Sequence, residues 1–376
     1  MVRGQRPFAA GKIWDWEGMV IVKQDRLQRV TQLMARHGLE QIIVSAPASV
    51  YYLTGIWVNP MERMLALYIT QDGACVLYAN ELFGIAPQPG LELVIHTDSD
   101  VPTAQMAQRL RPGKLGVDKF WPSKFLIGIL EARGDVVPTL GSAPVDEARM
   151  LKDQQEIEAM RHASQVNDQV VEAAIAALHE GVRENEIAAL VEKLYKENGG
   201  GRGEGQLVCF GPNGADPHHG PDGTVIKAGD SVVLDLFNPV ARYWCDMTRT
   251  VFFGSAGEEH RRVYETVKEA NLAAERMIRP GIPLCQVDAA ARQVIEEAGY
   301  GPYFTHRLGH GCGLECHEPP DVSSASTVLT QPGMVFSVEP GIYLPGKLGV
   351  RIEDLVLVTE DGCEVLNAAS KELRIV

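Results

Sequence analysis

The first part of the chain alternates between apolar residues at helical spacing and short, uniformly apolar runs. Residues 25–38 carry apolar positions three and four residues apart and end at Gly38, which predicts an amphipathic helix. Short strands are predicted between Gly, Asp and Pro signals, in "QIIVS", "MLALYIT", "ACVLYA" and "ELVIH". The alternation predicts an α/β domain over residues 21–150, without a recognisable catalytic cluster, preceded by an N-terminal extension over residues 1–20.

The pattern changes near residue 151, where long charged helices are predicted over residues 153–181 and 184–200. The second helix and its flanks return one hundred residues later, because "LHEGVRENEIAALVEKLYKENGG" (178–200) aligns without gaps with "IRPGIPLCQVDAAARQVIEEAGY" (278–300). An internal repeat indicates a duplicated structural unit. Residues 151–376 are therefore predicted to form a second domain with pseudo-twofold symmetry.

Both halves of this repeat place carboxylates in apolar strands. "KAGDSVVLD" and "QPGMVFSVE" each end on an acid six residues after a glycine, at Asp235 and Glu339. A further acid follows each one, Asp246 after eleven residues and Glu353 after fourteen. Strands inside a core seldom carry carboxylates. The duplication predicts one site between the two halves that uses all four acids.

Four converging carboxylates would repel one another and destabilise the fold unless their charge is neutralised. Two divalent cations would balance them, and His310, in "HRLGHGCGLECHEPP", is the candidate imidazole ligand. This ligand set suits manganese, cobalt, zinc or iron better than calcium or magnesium. A water shared by two such ions would be a nucleophile near neutral pH. The alternative is that each acid is satisfied separately by a salt bridge or a turn, as expected for Asp354 and Asp361.

Composition narrows the classes of partner. A formal net charge of −14 argues against nucleic acid and anionic membranes. No apolar run approaches the eighteen residues of a transmembrane helix. Seven cysteines, an odd number without a CxxC pair, fit a reduced, cytoplasmic setting.

Five segments together resemble the signature of the pita-bread metallopeptidases, the family of methionine aminopeptidase, aminopeptidase P, prolidase and creatinase. They are "VVLDLF", "CDMTRTV", "HRLGHGCGLECHEPP", "VFSVEPGIYLPG" and "GVRIEDLVLV". "YYLTG" (51–55) resembles the creatinase-type N-terminal domain, which methionine aminopeptidase lacks. The resemblance implies an α+β protein with two domains, an N-terminal creatinase-like α/β domain and a C-terminal pita-bread domain.

The resemblance also implies roles for individual residues. Asp235 would bind one metal ion, His310 and Glu339 would bind the other, and Asp246 and Glu353 would bridge the two. Glu339 would in addition carry a proton to the leaving nitrogen. His218 and His317 would contact the substrate and stabilise the tetrahedral intermediate, and the predicted pocket positions are His306 and Arg351. For Arg351, pairing with one of the acids is an equally weighted alternative.

Within the family, creatinase and non-catalytic binding modules are disfavoured because the five ligand positions are filled. A prolidase, which cleaves Xaa-Pro dipeptides, and aminopeptidase P remain. A dipeptidase should bind the substrate's C-terminal carboxylate, typically with arginine. Several prolidases carry an arginine shortly after the "HE-x-P" segment, whereas this chain has Asp321 there. The short loop at 340–349 favours prolidase.

The expected partner is a short proline-containing peptide, with homodimerisation implied by the family. Manganese is the expected metal. Hydrolysis or elimination of a small non-peptide compound is a third alternative, since the loop "PHHGPDG" lies where substrate would bind.

Overall fold

The structure, a computed structural model, describes residues 22–200 and 205–376. The predicted N-terminal extension, residues 1–20, lies outside the described residues. The chain divides into two compact units, Met1–Pro144 and Val145–Val376. Within the described ranges, no helix has the length and apolar character needed to cross a membrane.

The first unit is built on a mixed sheet with strand order β4-β3-β2-β1-β5-β6. Its strands are β1 (Gln41–Val44), β2 (Ala66–Thr70), β3 (Cys75–Asn80), β4 (Glu92–His96), β5 (Gly113–Val117) and β6 (Val136–Leu140). The accompanying helices are α1 (Gln24–Arg36), α2 (Pro47–Thr54), α3 (Pro102–Ala107) and α4 (Ser123–Ala132), with a 3-10 turn at Glu81–Phe83. Strand β1 pairs antiparallel with β2 and parallel with β5.

The predicted periodicities are confirmed in this unit. Helix α1 buries Leu27, Val30, Leu33 and Met34 along one face, as its apolar spacing requires. After α1 the backbone turns at Gly38, whose φ of +63° favours glycine. Strands β1, β2 and β3 are buried along their whole length, which explains why they are uniformly apolar rather than alternating.

In the second unit, residues 145–200 and 205–376 form two antiparallel sheets, with orders β7-β8-β9 and β11-β10-β12-β15-β16, and the hairpin β13-β14. Helix α5 (Ala143–Met150) begins two residues before this unit does. The helices that follow it are α6 (Gln154–Ala176), α7 (Glu184–Glu197), α8 (Glu258–Met277) and α9 (Leu284–Glu297), with 3-10 turns at Gly211–Ala215 and Gly301–Tyr303. The strands are β7 (Gln206–Phe210), β8 (Ser231–Val240), β9 (Tyr243–Phe252), β10 (Gly309–Gly311), β11 (Glu318–Val322), β12 (Val335–Val338), β13 (Gly341–Leu344), β14 (Leu348–Arg351), β15 (Asp354–Val358) and β16 (Cys363–Val365).

The internal repeat is a repeat of structure. Helices α7 and α9 are both 14 residues long and begin one hundred residues apart. The turns before them use left-handed glycines, Gly181 at φ +85° and Gly281 at φ +84°. The turns after them do the same, with Gly199 at φ +76° and Gly299 at φ +86°. The matched glycines are therefore required by turn geometry in both halves.

Each half buries its own apolar core. In the first half, α6 and α7 pack on β7, β8 and β9, with Val191, Phe210 and Leu234 fully buried. In the second half, α8 and α9 pack on the larger sheet, with Val267 and Phe336 fully buried. The four acids thus lie in or directly beside strands of two separately supported sheets.

Candidate metal centre

Asp235 and Asp246 project from the same face of the hairpin formed by β8 and β9. Asp235 lies opposite Thr248, and Asp246 lies opposite Phe237. Residues directly opposite each other in an antiparallel pair share a face, as do residues two apart along a strand. The spacing of eleven residues thus places the two carboxylates as diagonal neighbours across the hairpin.

Glu339 and Glu353 occupy the corresponding end of a second antiparallel pair. Glu339 directly follows β12 and Glu353 directly precedes β15, where Val338 pairs with Asp354. Continuing that register by one residue places Glu339 opposite Glu353. The intervening chain forms the hairpin β13-β14, which accounts for a spacing of fourteen residues instead of eleven.

The two pairs converge on His310, which lies on β10. Its Nε2 is 3.7 Å from Oδ2 of Asp246 and 3.4 Å from Oε1 of Glu339. One ligand atom from each of Asp246, His310 and Glu353 lies within 4.8 Å of the others, and all three residues are buried. The structure therefore assembles atoms suited to metal binding from both halves of the unit.

Burial makes this cluster electrostatically unfavourable by itself. Burial, followed by repulsion from the neighbouring carboxylates, raises the pKa of Asp246 and of Glu353 well above the ordinary range. Burial also raises the pKa of Glu339 to about 7, against the opposing charge of Arg351. The pKa of His310 is lowered to about 3, first by burial and then by His317. A neutral imidazole is the form that binds metals.

The donor set fits divalent metal ions. Asp235 is 8% exposed, and its Oδ1 is buried without a hydrogen-bond partner among the described residues. Its Oδ2 accepts a hydrogen bond from Nη2 of Arg351 over 2.5 Å. Buried carboxylate oxygens are normally satisfied, so the free oxygen marks a place for a cation. Four carboxylates and one imidazole form a ligand set of the kind that holds two metals.

The adjacent Asp354 has the structural role expected of it. Its Oδ1 is 2.7 Å from Nη2 of Arg249, and its Oδ2 is 2.8 Å from Nζ of Lys371. Asp354 and Arg249 are both buried. Consecutive acids therefore differ in role, since Glu353 joins the cluster while Asp354 pairs with cations behind it.

A hydrogen-bond network orients the acids of the cluster. Arg351 Nε donates to Thr248 Oγ1 over 3.0 Å, and Thr248 Oγ1 donates to Glu353 Oε2 over 2.7 Å. Arg351 Nη1 donates to Tyr343 Oη over 2.9 Å, and that oxygen lies 2.8 Å from His306 Nε2. Arg351 is thus engaged with the protein's own groups, and its predicted contact with substrate stays a prediction.

Thr248 and Tyr343 were missed in the sequence. The available signal for Thr248 was its place two residues after Asp246, on the same face of a strand. Tyr343 had no such signal, because its link to Arg351 depends on the β13-β14 hairpin, in which Gly341 pairs with Arg351 and Tyr343 with Gly349.

His317 and His218 lie at the accessible side of the cluster. The ring centroids of His317 and His310 are 4.1 Å apart, and His317 is exposed. Partial burial, Arg307 and His218 lower the pKa of His317, while the charge of Asp235 raises it. His218 is exposed, and its backbone N–H donates to Asp216 Oδ1 over 3.0 Å.

The loop that carries His218 is held by Glu184, a residue that sequence reasoning also missed. Glu184, at the start of α7, is fully buried. Its oxygens accept hydrogen bonds from the amide of Phe210 (2.7 Å), the side chain of Asn213 (2.9 Å) and the amide of Asp222 (3.1 Å), and lie 3.0 Å from Nε2 of His219. One buried carboxylate thus fixes both ends of the segment around His218.

Two family models together match most of the chain. Residues 158–360 match the model of metallopeptidase family M24, and residues 26–151 match the creatinase/prolidase N-terminal domain. An uncharacterized peptidase of Staphylococcus aureus is 37% identical over 337 residues, which cover 87% of this chain and 94% of that protein.

Solved structures are similar over almost the whole chain. A dipeptidase from Pyrococcus horikoshii superposes with a TM-score of 0.87 at 34% identity, covering 93% of this chain and 100% of the other. A prolidase from Thermococcus sibiricus gives a TM-score of 0.86 at 34% identity, covering 94% and 99%. The predicted two-domain fold, with a creatinase-like N-terminal domain and a pita-bread domain, is confirmed, and the chain belongs to metallopeptidase family M24.

Proposed function

We propose that this protein is an Xaa-Pro dipeptidase that works with two divalent metal ions, manganese being the expected metal and cobalt, zinc or iron the alternatives. The observation that carries the proposal is the convergence of carboxylates on one imidazole, in which ligand atoms of Asp246, His310 and Glu353 lie within 4.8 Å of one another. Beside them, a buried oxygen of Asp235 has no hydrogen-bond partner in the part of the chain that the structure describes. The dipeptidase and the prolidase that resemble the chain over its length support the substrate class.

Five residues would hold the metal ions. Asp235 would bind one ion, His310 and Glu339 the other, and Asp246 and Glu353 both. Ions in such a site lower the pKa of bound water and polarise the substrate carbonyl. The network through Arg351 and Thr248 would keep the carboxylates in fixed orientations, as the hydrogen-bond partners of metal ligands commonly do.

Glu339 is the residue best placed to move a proton. Its side chain is 16% exposed, whereas that of Asp246 is 4% exposed, so Glu339 faces the substrate side more openly. Ser337 Oγ donates to Glu339 Oε1 over 3.3 Å and restrains it. A leaving proline nitrogen carries no hydrogen and must gain one as the bond breaks. The carboxyl group of Glu339 would donate this proton as a general acid.

His317 and His218 would bind the peptide. Both are accessible, and the ring of His317 lies tilted against that of His310, with 4.1 Å between their centroids. An imidazole N–H at this position can donate to the substrate carbonyl oxygen as it gains negative charge. His306, tied to Tyr343, would line the pocket beside them.

A substrate panel tests the proposal. We expect the manganese-supplemented protein to hydrolyse alanyl-proline faster than alanyl-prolyl-alanine, and both far faster than alanyl-alanine. Glu339→Gln should abolish turnover without changing the circular dichroism spectrum. A preference for the tripeptide would indicate an aminopeptidase P, and inactivity on all three would favour a non-peptide substrate; either outcome contradicts the dipeptidase assignment.

A further inference from the structure

A dipeptidase needs a cation for the carboxylate of its substrate, and Arg351 is poorly suited to supply it. Arg351 is 4% exposed, and its Nε, Nη1 and Nη2 already donate to Thr248, Tyr343 and Asp235. Arg292, fifteen residues before Arg307, is likewise engaged with Asp288 and with backbone carbonyls. Binding a substrate with either Arg351 or Arg292 would break hydrogen bonds that the side chain already makes.

Arg307 is differently placed. It follows the pocket residue His306 and precedes β10, which carries the ligand His310. Its Nη1 donates to Oδ1 of Asp321, and the two side chains are 40% and 50% exposed. Asp321 also accepts a hydrogen bond from Ser323 Oγ over 2.7 Å. Exposed ion pairs of this kind are weak, so another carboxylate can compete for the guanidinium.

This ion pair lies at the edge of the metal cluster. Asp321 is the residue directly opposite His310 in the β10-β11 ladder, so both side chains leave the same face of the sheet. The positive charge of Arg307 also reaches into the cluster, where it contributes to lowering the pKa of His310, of His317 and of Glu339. The geometric link is the ladder itself, because the partner of Arg307 stands directly opposite the ligand His310.

We propose that Arg307 binds the C-terminal carboxylate of the dipeptide, with Asp321 as the resident anion that the substrate replaces. The proposal rests on the dipeptidase function and names its specificity determinant. It explains how a chain with an acid after "HEPP" can still recognise a free carboxylate. The planar guanidinium suits this task because it can donate two parallel hydrogen bonds to one carboxylate.

The test compares alanyl-proline with alanyl-proline amide, which lacks the carboxylate. The full-length, manganese-loaded protein is assayed as wild type, Arg307→Gln, Asp321→Asn and Arg374→Gln. Arg374 is the matched control, because it forms a similarly exposed pair with Glu172 at 2.7 Å, with side chains 44% and 48% exposed. Circular dichroism and thermal unfolding confirm that each variant is folded.

We expect Arg307→Gln to raise KM for alanyl-proline about tenfold more than KM for the amide, because a charge-assisted interaction is lost only with the free acid. Asp321→Asn should lower KM for alanyl-proline, since a competing anion is removed. Arg374→Gln should show no difference between the two substrates. If Arg307→Gln raises KM equally for both substrates, or raises it for neither, the role of Arg307 is overturned while the dipeptidase function stays intact. Failure of the wild type on both substrates would instead overturn the dipeptidase function and this proposal with it.

Discussion

Arg351 Nη2 lies 2.5 Å from Oδ2 of Asp235, while Oδ1 of the same carboxylate is buried without a hydrogen-bond partner among the described residues. One oxygen is thus fixed by a cation of the protein, and the other is left to a ligand. This arrangement holds Asp235 in one orientation and gives Arg351 a structural reason to be buried. Of the two roles considered for Arg351, pairing with an acid is the one that this geometry favours.

Changing Arg351 to Lys should weaken metal binding. Lysine keeps the positive charge but lacks the planar guanidinium group, whose three nitrogens donate to Thr248, Tyr343 and Asp235 at the same time. We expect manganese affinity to fall about 10- to 100-fold, the usual effect of losing a partner of metal ligands. Titration calorimetry measures this, with Arg374→Lys as the control. Unchanged manganese affinity with a raised KM would instead place Arg351 in contact with substrate.

The metal-free protein should lose stability as the pH rises. The pKa of Glu339 is raised to about 7 from an ordinary 4.5, and those of Asp246 and Glu353 are raised as well. Since the folded state holds the proton of Glu339 more tightly than the unfolded chain does, its contribution to stability is fully present below about pH 4.5 and is lost as the pH rises through about 7. Asp246 and Glu353, whose pKa values are raised in the same direction, contribute with the same sign.

Thermal unfolding in chelator from about pH 5 to pH 8 measures this effect. We expect the melting temperature to fall across the range, and to fall less when manganese is bound, because the ions neutralise the carboxylates. Glu339→Gln should flatten the metal-free curve. Parallel curves for metal-free and manganese-loaded protein would show that the cluster does not bind the ions.

Two consecutive acids, Asp354 and Glu353, should differ in how much stability the protein loses when their charge is removed. Asp354→Asn leaves the buried Arg249 without its anion, which should lower the free energy of unfolding by about 3–5 kcal/mol. Glu353→Gln removes repulsion from the metal-free cluster and should leave that protein as stable as the wild type or more so. Urea unfolding of both variants in chelator measures the difference. A comparable loss in both variants would mean that Glu353 is also a structural ion-pair residue.

Glu184→Gln should disturb the loop around His218 without touching the metal cluster. The carboxylate accepts hydrogen bonds from two backbone amides and from Asn213, beside His219, and an amide side chain cannot accept all of them. We expect KM to rise several-fold while manganese affinity stays at the wild-type value. Steady-state kinetics measures KM, and titration calorimetry on the same variant measures manganese affinity. A loss of manganese affinity would show that Glu184 acts on the metal cluster instead.

The sequence predicted those parts of the site that depend on strand periodicity and on the repeat. The acids at Asp235, Asp246, Glu339 and Glu353 could be placed because an alternating strand fixes which face a residue occupies, and because each half provided a comparison for the other. Tyr343 and Glu184 could not be predicted in this way. The hairpin β13-β14 brings Tyr343 close to its partner Arg351, and a loop brings the partners of Glu184 close to its carboxylate. Arg307 was likewise overlooked, because its pairing with Asp321 depends on the register of two short strands.

The metal content of the protein tests the central claim most directly. The protein is loaded with manganese, freed of unbound ions by gel filtration and analysed by elemental mass spectrometry, beside Asp235→Asn and Arg374→Gln. We predict two manganese ions per wild-type chain, two in Arg374→Gln and at most one in Asp235→Asn. The loading step uses manganese at a concentration far above that of the protein. Wild-type protein that retains no manganese after this treatment would contradict the proposal that the cluster binds metal ions.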